Sequence, residues 1–179
     1  MVGIKTDHML AFRKFLTSPE DADRVLTREH LQALAGLLED HIHYHHVPEF
    51  DPENCSPDNI HPYLWYGQSN SQTEVTLNCS TQYPDIIGIN VEIYATDPTI
   101  SQLIEDHCVN ALSDYGNPKQ GSPFGDITVQ DVIVGPQDDD YIPAGNRFNV
   151  DIVWHIQSFQ VSVYPLWCGC SDRDPSFGY

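Results

Sequence analysis

Two stretches constrain the fold most: IIGINVEIYAT (residues 86–96) and RFNVDIVWHIQ (147–157). Both alternate apolar and polar side chains with a period of two. Ile87, Ile89, Val91 and Ile93 stand against Gly88, Asn90, Glu92 and Tyr94, and Phe148, Val150, Ile152, Trp154 and Ile156 against Asn149, Asp151, His155 and Gln157. A helix cannot gather such a set on one face, whereas the pleat of a strand does so directly. One buried and one polar face is the signature of an antiparallel sheet packed on one side only.

Other segments join this sheet. YLWYGQ (63–68) starts a strand, and EVTLNCST (74–81) alternates Val75, Leu77 and Cys79. DITVQDVIVG (126–135) alternates Ile127 and Val129, then slips across Gln130-Asp131 to Val132 and Val134, as a bulge produces. Beyond Gln157 the apolar parity changes to Phe159, Val161 and Val163, so SFQVSVYP (158–165) reads as a continuation after a bend. Between the last two strands lies the acidic loop PQDDDYIPAG (136–145).

Helical periodicity dominates the first 46 residues. Met9, Leu10, Phe12, Phe15 and Leu16 cluster within one or two turns. Ser18 and Pro19 read as N-cap and first helical residue, and Thr27 as the cap of a longer helix striped by Leu31, Leu34, Ala35, Leu38 and Ile42. A third helix interrupts the strands, with Asp97 as cap, Pro98 at its start, and Ile100, Leu103, Ile104, Cys108, Ala111 and Leu112 as the buried stripe; Gly116 stops it.

The expected architecture is α+β: an antiparallel sheet of about five strands with helices packed on one face, preceded by an N-terminal helical region and a long loop arm. The divisions are 1–46 (helical), 47–62 (proline-rich arm), 63–164 (core domain) and 165–179 (tail). A chain of 179 residues buries a core of its own without staples. Its five cysteines, odd in number and without a Cys-x-x-Cys pair, read as free thiols of a reducing compartment. The N-terminus lacks a continuous apolar run, which excludes a signal peptide, and no stretch approaches the roughly 20 apolar residues of a membrane span.

Charge narrows the function. Asp and Glu number 26 against 8 Lys and Arg, a formal charge of −18. Lys5, Arg13, Lys14, Arg24 and Arg28 all precede the strands, and only Lys119, Arg147 and Arg173 follow. A strand region this poor in cations does not grip phosphate backbones.

Chemistry-bearing residues concentrate in EDHIHYHHVPEF (39–50). On a continuing helix His41 and His45 share a face, the spacing of a two-histidine zinc pair, with Glu49 or Asp51 as a carboxylate. The glutamate that a hydrolytic zinc helix carries directly after its first histidine is replaced by Ile42. Histidines are also favoured at a helix C-terminus by the dipole, which leaves His43, His46 and Glu49 as contacts of the arm. Asp138, Asp139 and Asp140 lack the alternating ligands and central glycine of a calcium loop. No nucleophile elbow, phosphate loop or dinucleotide fingerprint occurs, so neither a catalytic residue nor a cofactor is assigned.

The order of HPYLWYGQS, then IIGINVEIYATDPTISQLIEDHCVNAL, then RFNVDIVWHIQ resembles the tail-completion, or tail terminator, family of long-tailed phages, over about residues 61–160. The N-terminal helices, the arm and the extension after Gln157 go beyond the family pattern. The resemblance implies a non-enzymatic virion protein of the tail or neck, assembled in the host cytoplasm. It would form a homohexameric ring that caps the tail tube protein and joins the head-side connector or stopper, with no membrane partner. Asp138–Asp140 would face a channel through which DNA passes without specific binding. The alternatives are another neck protein, such as a head-completion stopper or connector, and a small metal-binding protein using His41 and His45.

Overall fold

A computed structural model describes residues 4–22, 24–45, 60–73, 85–115, 127–142 and 152–165. The described elements follow the order α1 (Ile4–Thr17), a 3-10 turn (Pro19–Asp21), α2 (Val25–Leu38), β1 (Ile42–Tyr44), β2 (Tyr63–Thr73), β3 (Asp85–Ala95), α3 (Pro98–Tyr115), β4 (Ile127–Val134), β5 (Asp138–Ile142) and β6 (Ile152–Pro165). The α+β class stands, with a mixed sheet of six strands in place of a purely antiparallel one of five.

The sheet order is β1-β2-β3-β6-β4, with β5 also on β6. Pairing is antiparallel except that β1 runs parallel to β2, matching Ile42 with Leu64 and Tyr44 with Tyr66. β4 and β5 both lie antiparallel to β6 and together form one edge strand, β4 opposite Phe159–Pro165 and β5 opposite Ile152–Ile156. Gly135 carries the ladder between them, donating its N–H to Ser158 O at 2.8 Å. A Cβ at Gly135 would stand 2.5 Å from Ser158 Oγ and 3.2 Å from Ser158 O, so a side chain there would force Ser158 to shift. The acidic segment expected to be a loop is therefore strand β5: its backbone bonds to β6 while its carboxylates stay in water.

The core is one cluster between the helices and one face of the sheet. Met9, Phe12, Phe15 and Leu16 of α1, Leu31, Leu34 and Leu38 of α2, and Ile104, Cys108, Ala111 and Leu112 of α3 meet Leu64, Tyr66, Ile87, Ile89, Val91, Ile93, Phe159, Val161 and Val163. Asp97 caps α3 as expected, accepting the Thr99 N–H at 2.8 Å. The bulge in β4 is also present, between Val129 and Asp131. Leu10 and Leu103, both expected inside, are exposed, so each stripe is narrower than the apolar count suggests. Thr27 does not cap α2; it lies fully buried within the helix, whose N-cap position is Arg24. Ser18 makes no side-chain cap bond and opens only the 3-10 turn.

β6 corrects the expected bend. It pairs with β3 in unbroken register from His155 to Val163. The parity change arises because the strand serves two faces. Gln157, Phe159, Val161 and Val163 lie under the helices, whereas Ile152 and Trp154 are buried on the opposite face. There Tyr63 and Tyr94 stack at 4.7 Å, and Trp154 meets both edge-on at 5.4 and 6.1 Å.

The strand expected at 74–81, Phe148 and Val150, Gly116 and nearly all of the arm and tail lie outside the described residues.

Candidate functional site

The histidine run is not helical. α2 ends at Leu38, where Glu39 takes φ 52 and ψ −118 and donates its N–H to Ala35 O at 3.0 Å. That left-handed turn, unusual for a residue with a Cβ, redirects the chain into β1. An extended chain advances roughly 3.3 Å per residue, so His41 and His45 stand roughly 13 Å apart along it and not one turn apart. His41 and His45, the candidates for a zinc pair had the helix continued, therefore do not share a helix face.

Each described histidine is placed by its own neighbours. His41 is held by β1–β2 pairing, its carbonyl accepting the Leu64 N–H at 3.0 Å. Arg13 on α1 donates to Ile42 O at 2.8 Å and ties the same segment to the helices. His43 meets Tyr63 edge-on at 5.9 Å. His45 has φ 56 and donates its N–H to Tyr66 O at 3.1 Å. His46, Glu49 and Asp51 lie outside the described residues.

The β1–β2 pairing brings in a residue that sequence reasoning missed. His61, immediately before β2, stacks on His41 with ring centroids 4.0 Å apart and planes 15° from parallel. His61 Nε2 lies 3.8 Å from Glu39 Oε2. One ligand atom from each of Glu39, His41 and His61 lies within 4.8 Å of the other two. His61 sits on the far side of the arm from the run, so no local spacing could join them; the parallel register of β1 with β2 does.

Asp138, Asp139 and Asp140 are all exposed on β5. Asp139 Oδ1 bonds His155 Nδ1 at 2.8 Å. Asp140 stands opposite Trp154. Burial, then the charges of Glu92 and Asp140, push the Tyr63 hydroxyl up to about 12. Tyr94, which donates to Glu92 Oε2 at 2.6 Å, is raised further, first by burial and then by that bond. Both phenols therefore stay neutral and donate; neither serves as a base near neutral pH. The six strands carry no Lys or Arg at all, while Asp85, Glu92, Asp131 and Asp138–Asp140 lie on them.

Three perturbed titratable positions among the described residues lie on α3, Glu105 and Cys108 buried and His107 half-buried. Glu105 is pushed up to about 7, by burial first and Asp106 second. His107 shares a 3.0 Å Nδ1–Nδ1 hydrogen bond with His30 of α2 and is lowered, by burial and then by His30. Cys108 is a free buried thiol raised by burial, then by Glu105, which leaves it inert as a nucleophile. Among the described residues no helix is long and apolar enough to cross a membrane.

No protein-family profile matches the chain, and no curated protein matches it. Among solved structures, the chain is similar to one from "Virion of native gene transfer agent (GTA) particle", at 10% identity and a TM-score of 0.36, with 77% of this chain and 91% of that one covered. A likeness of that size carries no argument about function.

Proposed function

We propose that the chain is a structural, non-enzymatic virion protein of the neck, and within that class a tail terminator that closes into a homohexameric ring. The ring caps the tail tube and meets the head-side connector. The observation that carries this reading is the six-stranded sheet without a single Lys or Arg, whose edge strand β5 presents Asp138, Asp139 and Asp140 to solvent. Carboxylates repel a passing polyanion and leave it free to slide. The segments that resemble the terminator family support the reading too. They fall on β2, on β3 with α3, and on β6, adjacent in the sheet or packed upon it.

Ring closure gives the sheet edges a use. β4 exposes Ile133 and Val134 on its rim, and an edge of this kind pairs or packs with a neighbouring subunit. The test is co-expression with tail tube protein followed by negative-stain microscopy and mass photometry. Six-fold rings on tube ends are expected, and a chain that stays monomeric with tubes present overturns the reading. A head-completion stopper is the second outcome: rings that bind connector and leave tube ends bare.

A further inference from the structure

We propose that Glu39, His41 and His61 form a binding site for a divalent transition-metal ion of the zinc type, clamping the end of α2 to the start of β2. The inference is independent of the ring reading. A monomer that binds metal would sink the former proposal and leave this one standing.

The protonation of the two rings carries the argument. His61 Nδ1 lies 2.7 Å from the carbonyl oxygen of Pro62. A carbonyl only accepts, so Nδ1 carries a proton, and in the neutral ring Nε2 is the nitrogen with the free lone pair. His41 Nδ1 lies 3.2 Å from Leu38 O and 3.2 Å from Asp40 Oδ1, again two acceptors. Its proton is fixed on Nδ1 in the same way. Both imidazoles therefore present bare Nε2 atoms, the arrangement of a metal-ligating histidine whose other nitrogen donates to a carbonyl or carboxylate. Glu39 supplies the third donor, with Oε2 already 3.8 Å from His61 Nε2.

A second observation is independent of the side chains. Glu39 holds a left-handed φ of 52 at the end of α2, where glycine is the residue that costs least. Strained backbone of this kind concentrates at sites where the side chain has a task. The turn places a carboxylate two residues before His41, while His61 approaches from the other side of the arm.

The donor set selects the ion. Two imidazoles and one carboxylate suit Zn²⁺, Co²⁺ or Ni²⁺, whereas Ca²⁺ and Mg²⁺ require an oxygen shell. Bonds of roughly 2.0–2.1 Å set tetrahedral donors about 3.3 Å apart, and each lone pair lies in its ring plane, so binding requires the stacked rings, now 15° from parallel, to tilt until their lone pairs converge. Glu39 is exposed and the two rings are half-exposed, which permits that movement and leaves the fourth position to water.

The test uses the untagged full-length protein, stripped with chelator and titrated with Co²⁺ and Zn²⁺ chloride. One Co²⁺ per chain is expected, with the visible bands of a tetrahedral site, displaced by Zn²⁺. His61→Ala lowers the affinity at least roughly tenfold, as losses around a metal site do. Glu39→Gln, a change at an exposed position that preserves the fold, weakens binding in the same direction. His45→Ala/His46→Ala binds as the unaltered protein does. Absence of stoichiometric Co²⁺ overturns the proposal. So does binding that survives both His61→Ala and Glu39→Gln but is lost in His45→Ala/His46→Ala, which is adventitious capture by the histidine run.

Discussion

Glu105 shows how a single residue sets the pH response. It lies on α3 at 7% exposure, and its Oε2 has no hydrogen-bond partner among the described residues. Burial holds its carboxyl at about 7 against an ordinary 4.5. The folded chain therefore binds this proton more tightly than the unfolded chain. The stability it contributes is fully present below pH 4.5 and is lost as pH rises through about 7. The lowered His107 acts with the opposite sign, disfavouring the fold as pH drops through its ordinary value of 6.5. Comparison of variants separates the two. Glu105→Gln should be the more stable protein at pH 8 and should lose that advantage by pH 5, read by thermal melts. A difference in Tm that is constant across that range would mean the carboxyl titrates normally. Gly67 is the second informative residue. A Cβ there would sit 2.9 Å from Trp65 Cη2 and 3.2 Å from His45 Nδ1. Gly67→Ala should cost about 1–3 kcal/mol through forced repacking of that indole, measured by denaturant unfolding; a neutral result would show that the ring moves freely.

At the scale of elements, α3 gives the sharpest check on phase. Leu112 is fully buried and Leu103 is 40% exposed, although both belong to the stripe read from the sequence. Leu112→Ala should cost about 2–5 kcal/mol, and Leu103→Ala should stay within about 0.5 kcal/mol; equal losses would mean that the helix is rotated. The contrast also shows what the sequence could disclose. β3 is legible residue by residue from Ile87 onward, because Ile87, Ile89, Val91, Ile93 and Ala95 make one face apolar with a period of two. The Asp97 cap and the slip in β4 were legible because each is local chemistry. β6 misled, since a strand that changes its buried face halfway looks like a strand that bends. Only the register with β3 distinguishes the two. The acidic strand β5 was read as a loop because three successive aspartates have poor strand propensity; ladder bonds to β6 outweigh it. The metal site needed the same kind of information. His41 stands out in the sequence, but His61 becomes its neighbour only through parallel pairing of β1 with β2.

The molecule as a whole is polarised. Its described cations, Arg13, Lys14, Arg24 and Arg28 among them, sit on the helical side, and the charges on the described strands, all carboxylates, are confined to β3, β4 and β5. Folding does not require the six described strands to be free of cations, since exposed strand positions accept lysine readily at edges. A surface kept free of cations is what a DNA channel demands, because each phosphate contact would add friction through released counterions. The edge strand β5 is the place to test this. Asp139 is engaged by His155, so reversal there would also break a hydrogen bond. Asp138 and Asp140 point to the other face of the strand; Asp138 Oδ1 accepts the adjacent Asp139 N–H at 2.9 Å, an exposed local bond, and the backbone pairing with β6 does not depend on either side chain. On the proposed ring reading, Asp138→Lys/Asp140→Lys should leave folding and ring assembly intact while slowing DNA ejection from assembled particles. The delay should shrink as salt rises, because the added attraction is screened over roughly 10 Å at 0.1 M ionic strength. Ejection at the unaltered rate, in particles shown to contain the variant ring, would remove β5 from the channel and turn its aspartates into guards of a sheet edge.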